Sequence, residues 1–149
     1  ALSQNGYSEL AYDLLLQDEF PSWLYSVKQG ATTIWEHWDG INDKGEFWSK
    51  DMNSFNHYGL GSVADWVYGV ACGIQTVEEK PGFEEILIEP HPTDKLEHLS
   101  ASIETPRGIV SSKWYHKDGK IRYEITTPVK TTIIIDGKKM VVEKGSYIF

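Results

Sequence analysis

Glu78-Glu79-Lys80-Pro81-Gly82 divides this 149-residue chain in two. The segment is charged and ends in Pro-Gly, a pair that stops both helices and strands. Upstream of it, apolar residues recur every three or four positions, the period of a helix. Tyr7, Leu10, Ala11, Leu14 and Leu15 form one such stripe, with Asn5 as its expected N-cap. Pro21-Ser22 opens a second, short helix, with Ser22 as cap and Gly30 just past its end. Leu60, Val63, Val67, Val70, Ala71 and Ile74 outline a third, starting near Phe55. Gly59, Gly61, Gly69 and Gly73 weaken that third helix, each by up to about 1 kcal/mol relative to Ala.

Downstream the period changes to two. Ile86/Ile88, Leu99/Ala101/Ile103 and Ile121/Tyr123/Ile125 alternate with polar residues, as half-buried strands do. Pro106-Arg107-Gly108, Asp118-Gly119, Asp136-Gly137 and Lys144-Gly145 punctuate the runs, and the two Asp-Gly pairs predict tight hairpins. Six or seven short strands of this kind predict an antiparallel β-sandwich. The chain is therefore α+β, with a helical segment over residues 1–80 and a sandwich over 81–149. Five of the six tryptophans precede residue 67. Three helices cannot wall in so many rings, so the helical part reads as the end of a larger helical body.

Charge follows the same division. The chain carries a formal net charge of −8. Residues 1–80 hold 12 acids and 4 bases, whereas residues 81–149 hold 10 of each. An acidic first segment argues against nucleic acid, which requires clustered Lys and Arg. No apolar run reaches the length of a membrane span. No signal-peptide pattern occurs, and the expected location is the cytoplasm, although the chain opens Ala-Leu-Ser-Gln without an initiator Met. Cys72, the single cysteine, sits in an apolar run and reads as a small buried residue.

Chemistry concentrates in Gly30-Ala31-Thr32-Thr33-Ile34-Trp35-Glu36-His37-Trp38-Asp39-Gly40. A carboxylate between two tryptophans is costly unless it has a partner or a task. Flat rings stack on the C–H faces of a pyranose, and a carboxylate binds hydroxyls or activates water. Glu36 is the leading candidate for a general base. A solvated loop anchored by its tryptophans, with Glu36 as a cap or salt bridge, explains the same residues. A second cluster, Asn53-Ser54-Phe55-Asn56-His57-Tyr58-Gly59, offers donors and acceptors for sugar hydroxyls, while His57 serves equally well as a structural residue. His37, His91, His98 and His116 lack metal spacing and Cys72 lacks a cysteine partner, which argues against zinc. No phosphate loop and no G-x-S-x-G elbow is present. Asp65, beside Trp66, reads as a structural acid.

Together these segments carry a family signature. Pro21-Ser22-Trp23, the run from Gly30 to Asp39, Asn56-His57-Tyr58 and Gly61-Ser62-Val63-Ala64-Asp65-Trp66 resemble the bacterial α-L-rhamnosidases. These are inverting glycoside hydrolases with an (α/α)6-barrel catalytic domain followed by a β-sandwich. The likeness covers nearly the whole chain, and its motifs are specific in combination. It implies terminal barrel helices followed by an antiparallel β-sandwich. It implies Glu36 as the general base, His57 as a contact of the rhamnose being cleaved, and Trp35 and Trp38 as the aromatic, substrate-binding frame. Trp23 falls to packing. Substrates would be rhamnose-containing glycosides, with no cofactor and no metal. The family's general acid lies upstream of the Trp-Glu-x-Trp loop, and nothing in this chain corresponds to it. A C-terminal fragment is therefore expected, inactive alone and prone to self-association. Two rival classes are a non-catalytic carbohydrate-binding module, marked by sugar affinity, and a structural docking piece, marked by self-association without it.

Overall fold

The computed structural model describes residues 1–149, which form two compact units, Ala1–Ala64 and Asp65–Phe149. Helices α1 (Ser8–Leu16) and α2 (Trp23–Lys28) belong to the first unit. Ser22 caps α2 as expected: its hydroxyl accepts from the Tyr25 N–H at 3.0 Å. Gly30, at φ +91°, ends the helix in the left-handed region that glycine tolerates. Asn5 does not cap α1. Ser3–Asn5 makes its own 3-10 turn, Gly6 reverses the chain, and Tyr7 occupies the cap position without a side-chain bond. The Asn5 amide instead donates to the Ala1 carbonyl at 2.8 Å.

The expected apolar stripe of α1 is only partly buried. Tyr12 is fully buried, whereas Tyr7 is 60% and Leu10 and Leu14 are each 47% exposed. This unit offers α1 little cover besides α2, so the helix turns its Tyr12 side inward and leaves the stripe open.

The third helix breaks into three short turns. A 3-10 turn over Gly59–Ser62 leads to α3 (Val63–Trp66) and then to a π turn over Val67–Ala71. Ile74, expected to be helical, instead begins strand β1 (Ile74–Thr76). Gly73 forces the change. It sits at φ +73°, and a Cβ there would lie 2.1 Å from the backbone carbon of Glu89. Its carbonyl accepts from the Glu89 N–H at 2.9 Å.

Seven further strands follow: β2 (Ile86–Ile88), β3 (His98–Thr105), β4 (Gly108–Lys117), β5 (Lys120–Thr127), β6 (Thr131–Ile135), β7 (Lys138–Val142) and β8 (Gly145–Ile148). They form two four-stranded sheets, β1-β2-β6-β7 and β3-β4-β5-β8, and the architecture is α+β. Glu78–Gly82 lies inside this unit, as the turn joining β1 to β2; the Lys80 N–H closes it on the Val77 carbonyl at 2.9 Å. The compact units therefore divide at Ala64, upstream of the residue-80 break in composition. Both Asp-Gly pairs make the expected hairpins. Asp118 and Asp136 have φ +52° and +50°, and their glycines +71° and +73°, the positive angles of a I′ turn. One pairing is not antiparallel: β2 runs parallel to β6. Parallel neighbours need a long crossover, and β3, β4 and β5 supply it.

The interior of this unit is apolar. Ile86, Ile88 and Ile133 of one sheet and Val110, Trp114 and Ile125 of the other are buried. The Trp114 indole N–H donates to the Ala71 carbonyl at 2.9 Å, which satisfies a polar group inside the core. No helix is long and apolar enough to cross a membrane.

Cys72 is fully buried, and burial pushes its thiol from 9.0 up to about 11. The folded thiol thus ionises later than the unfolded one. Its contribution to stability is complete below pH 9.0 and is lost as pH rises towards about 11. We expect a decline in unfolding free energy across that window that Cys72→Ala removes, measured by urea denaturation at stepped pH. Native protein at pH 8 should also resist thiol reagents. Rapid labelling without denaturant would contradict the burial.

Candidate active site

The Gly30–Gly40 loop is tied down from both ends. After α2, the Ala31 N–H donates to the Ser26 carbonyl at 3.0 Å. Ser26, itself buried, donates its hydroxyl to the Trp38 carbonyl at 2.7 Å. The middle of the loop pairs with the second cluster. The Glu36 N–H donates to the Ser54 carbonyl at 3.0 Å, and the His57 N–H donates to the Ile34 carbonyl at 2.8 Å. The Thr33 hydroxyl adds a bond to the Phe55 carbonyl. Segments 33–36 and 54–57 therefore run side by side. The two candidates, Glu36 and His57, are brought onto neighbouring strands of chain, both partly exposed.

The tryptophans divide the labour. Trp35 is 6% exposed, and its ring meets Phe55 edge to face at 5.3 Å. Gly40 packs beneath them; a Cβ there would lie 3.0 Å from Phe55 and 3.1 Å from Trp35. Trp35 thus faces the unit's own core and holds the loop from below. Trp38 meets Trp23 edge to face at 5.1 Å, and the Trp23 indole donates to the Leu60 carbonyl at 2.9 Å. Trp23, Trp35, Trp38 and Leu60 line a cavity of about 70 Å³. Ligand pockets run to about 300–1,000 Å³, so this recess is a packing gap and not a sugar pocket. Trp38, partly exposed, is the tryptophan of the motif with surface to offer.

His57 has a defined tautomer. Its Nδ1 accepts from the Gly59 N–H at 3.3 Å, so in the neutral ring the proton sits on Nε2 and is available to an acceptor. Tyr58 lies parallel to it, with ring centroids 5.7 Å apart. Asn53, of the same cluster, braces the chain by accepting from the Ser49 N–H and donating to the Ser49 carbonyl. Asp65 is exposed in α3.

Residues to which the sequence assigned no role complete the loop. His37 stacks on Trp48 with ring centroids 3.6 Å apart and planes 11° from parallel. Phe47 pairs with Ile41 as an isolated bridge. Asn42 organises the turn between them, its carbonyl oxygen accepting from the N–H groups of Lys44 and Glu46 at 2.9 Å. The composition Asn42-Asp43-Lys44-Gly45 was the available signal, an Asx turn with a closing glycine. Chemically, the arrangement offers the partly exposed carboxylates of Glu36 and Asp39, the His57 imidazole and aromatic surface, on two paired segments. A carboxylate so placed can accept a proton from water, and the imidazole can hydrogen-bond a hydroxyl.

Comparison with known proteins agrees in both halves. Residues 1–71 match the bacterial alpha-L-rhamnosidase 6 hairpin glycosidase domain, and residues 73–146 match the bacterial alpha-L-rhamnosidase C-terminal domain. Among curated relatives, an alpha-L-rhamnosidase of Streptomyces avermitilis is 37% identical over 131 residues, which is 88% of this chain and 12% of that protein. One from Formosa agariphila is 38% identical over 135 residues, 91% of this chain and 14% of that protein. Among solved structures, the Streptomyces avermitilis alpha-L-rhamnosidase complexed with L-rhamnose superposes with a TM-score of 0.87 at 31% identity, over 99% of this chain and 16% of that one. The native enzyme from Aspergillus terreus also gives 0.87, at 37% identity, over 99% and 18%. The chain thus spans roughly one-eighth of the length of the curated relatives it matches.

Proposed function

Because the chain belongs to the bacterial α-L-rhamnosidases, we propose that it forms the C-terminal part of an inverting α-L-rhamnosidase, with Glu36 as general base. The observation that carries this reading is the backbone pairing of the Glu36 loop with the His57 segment. It joins the segment of Glu36, a carboxylate able to accept a proton, to that of His57, an imidazole able to bind a hydroxyl. The substrate class is a terminal α-L-rhamnoside, in keeping with the L-rhamnose held by the Streptomyces avermitilis relative.

In the reaction, Glu36 takes the proton of a water that attacks the anomeric carbon. The bond to the glycosidic oxygen breaks on the opposite face, and that oxygen receives a proton from a second carboxyl. Inverting enzymes hold the two carboxyls about 6.5–9.5 Å apart, leaving room for the water. The second carboxyl comes from another part of the full-length enzyme. His57 donates from Nε2 to a hydroxyl of the sugar in the cleavage site. Trp38 supplies apolar surface to the ring, and Trp35 keeps the loop in place from the core side. The open stripe of Tyr7, Leu10 and Leu14 on α1 is covered by other barrel helices of the same enzyme.

Three outcomes follow. Glu36→Gln in the full-length enzyme should lower kcat on an aryl α-L-rhamnoside by about 10²–10⁴-fold or more, the worth of general-base catalysis; a loss under tenfold would remove Glu36 from the role. His57→Ala should weaken rhamnose binding by about 1–3 kcal/mol, the cost of leaving a buried polar partner unpaired, with thermal stability retained. A steep fall in Tm with unchanged KM and kcat would make His57 structural instead. The chain by itself should show no rhamnosidase turnover and should self-associate through its apolar stripe. A strictly monomeric chain in light scattering that turns over substrate would overturn the fragment reading.

A further inference from the structure

We propose that Ser26 is a positioning residue for the reaction, and that its hydroxyl holds the Glu36 loop in its working place. The proposal rests on Glu36 being the catalytic base of a rhamnosidase; it adds which side chain fixes that base from outside the loop. Ser26 lies within α2 and is 7% exposed. Trp23, Ile34, Trp35 and Trp38 line the same small recess. Among such neighbours alanine would suit the helix better, since serine is the poorer helix former and a buried hydroxyl needs a partner. A serine within a helix can satisfy its hydroxyl on the carbonyl one turn back. Ser26 instead donates outward, to the Trp38 carbonyl at 2.7 Å.

Two anchors on this one residue bracket the base. The Ser26 carbonyl accepts from the Ala31 N–H at 3.0 Å, where the chain has left α2, and the Ser26 hydroxyl takes hold again at Trp38. The stretch between them has no helix or strand of its own, so its course depends on such ties. At Ile34 and Glu36 the backbone bonds run to another loop, through His57 and Ser54. Just downstream of Glu36, at Trp38, the Ser26 hydroxyl ties the chain to a helix instead. The Trp38 ring keeps its own contact with Trp23, edge to face at 5.1 Å. Loss of the hydroxyl therefore loosens the backbone beside the base more than it moves the ring. A loosened base slows the attack of water, which appears in kcat, while the ring still contributes to binding.

The test is a double-mutant cycle in the full-length enzyme, with p-nitrophenyl α-L-rhamnoside as substrate. Ser26→Ala should lower kcat about tenfold with KM little changed, less than the roughly 10²-fold that a misplacement of about 1 Å can cost. Ser26→Thr keeps the hydroxyl, and the recess of about 70 Å³ beside it has room for the added methyl, so most of kcat should return. In a Glu36→Gln background the same Ser26→Ala change should alter kcat by less than about twofold, because the group it positions is already lost. A residue that only stabilises the fold would lower kcat by one factor in both backgrounds and would not split kcat from KM. That result, or a kcat loss under about threefold in Ser26→Ala alone, would overturn the proposal. Should Ser26→Ala fail to fold, Ser26→Cys, of similar size but a weak donor, takes its place in the cycle under the same criteria. Glu36→Gln alone reports on the base. A small loss there removes the base assignment, whereas a large loss with equal Ser26 factors removes only the role of Ser26.

Discussion

Two backbone hydrogen bonds, from the Glu36 N–H to Ser54 and from the His57 N–H to Ile34, govern what the N-terminal unit can do. They turn two polar loops, far apart in sequence, into one element. Each such bond contributes a net of about 0.5–1.5 kcal/mol, whereas ordering each loop residue costs about 1–2 kcal/mol. The pairing therefore cannot hold the loop by itself. Burial of Trp35 against Phe55 and Gly40 adds to it, since a large buried aromatic side chain contributes more than either bond. The geometry of this loop depends on a packed aromatic floor, Trp35 against Phe55, beneath its polar groups.

The C-terminal unit rests on a different constraint. Its sheets close over Ile, Val and Trp side chains contributed at alternate positions, and the chain enters them through Gly73, where only glycine fits against Glu89. Trp114 fills the interior and satisfies its one donor on the Ala71 carbonyl. This unit buries its apolar surface in its own sheets. The N-terminal unit leaves part of α1 open.

The sequence made the strands most legible. Period-two alternation and Asp-Gly pairs are local signals, and the I′ turns at Asp118 and Asp136 depend on nothing beyond their own backbone angles. The Ser22 cap was legible for the same reason. The parallel pairing of β2 with β6 was hidden, because it is decided by a crossover through the other sheet. The third helix was misread because its apolar spacing is helical, while Gly73 and the Glu89 backbone, distant in sequence, convert its end into β1. Asn5 has the chemistry of a cap but sits two residues too early. In the site, Glu36 and His57 stood out by residue type. The pairing of their segments did not, since its partners lie far along the chain, nor did the His37–Trp48 stack, which spans the turn that Asn42 organises.

The central claim is that Glu36 delivers water to the anomeric carbon from the face opposite the leaving group. Chemical rescue tests it most directly. Glu36→Ala in the full-length enzyme removes the base and leaves space for a small anion that needs no deprotonation. With an activated aryl α-L-rhamnoside and sodium azide, the account predicts recovered turnover and a β-L-rhamnosyl azide product, identified by NMR. An α-configured azide, or no rescue beside an intact fold, would contradict it.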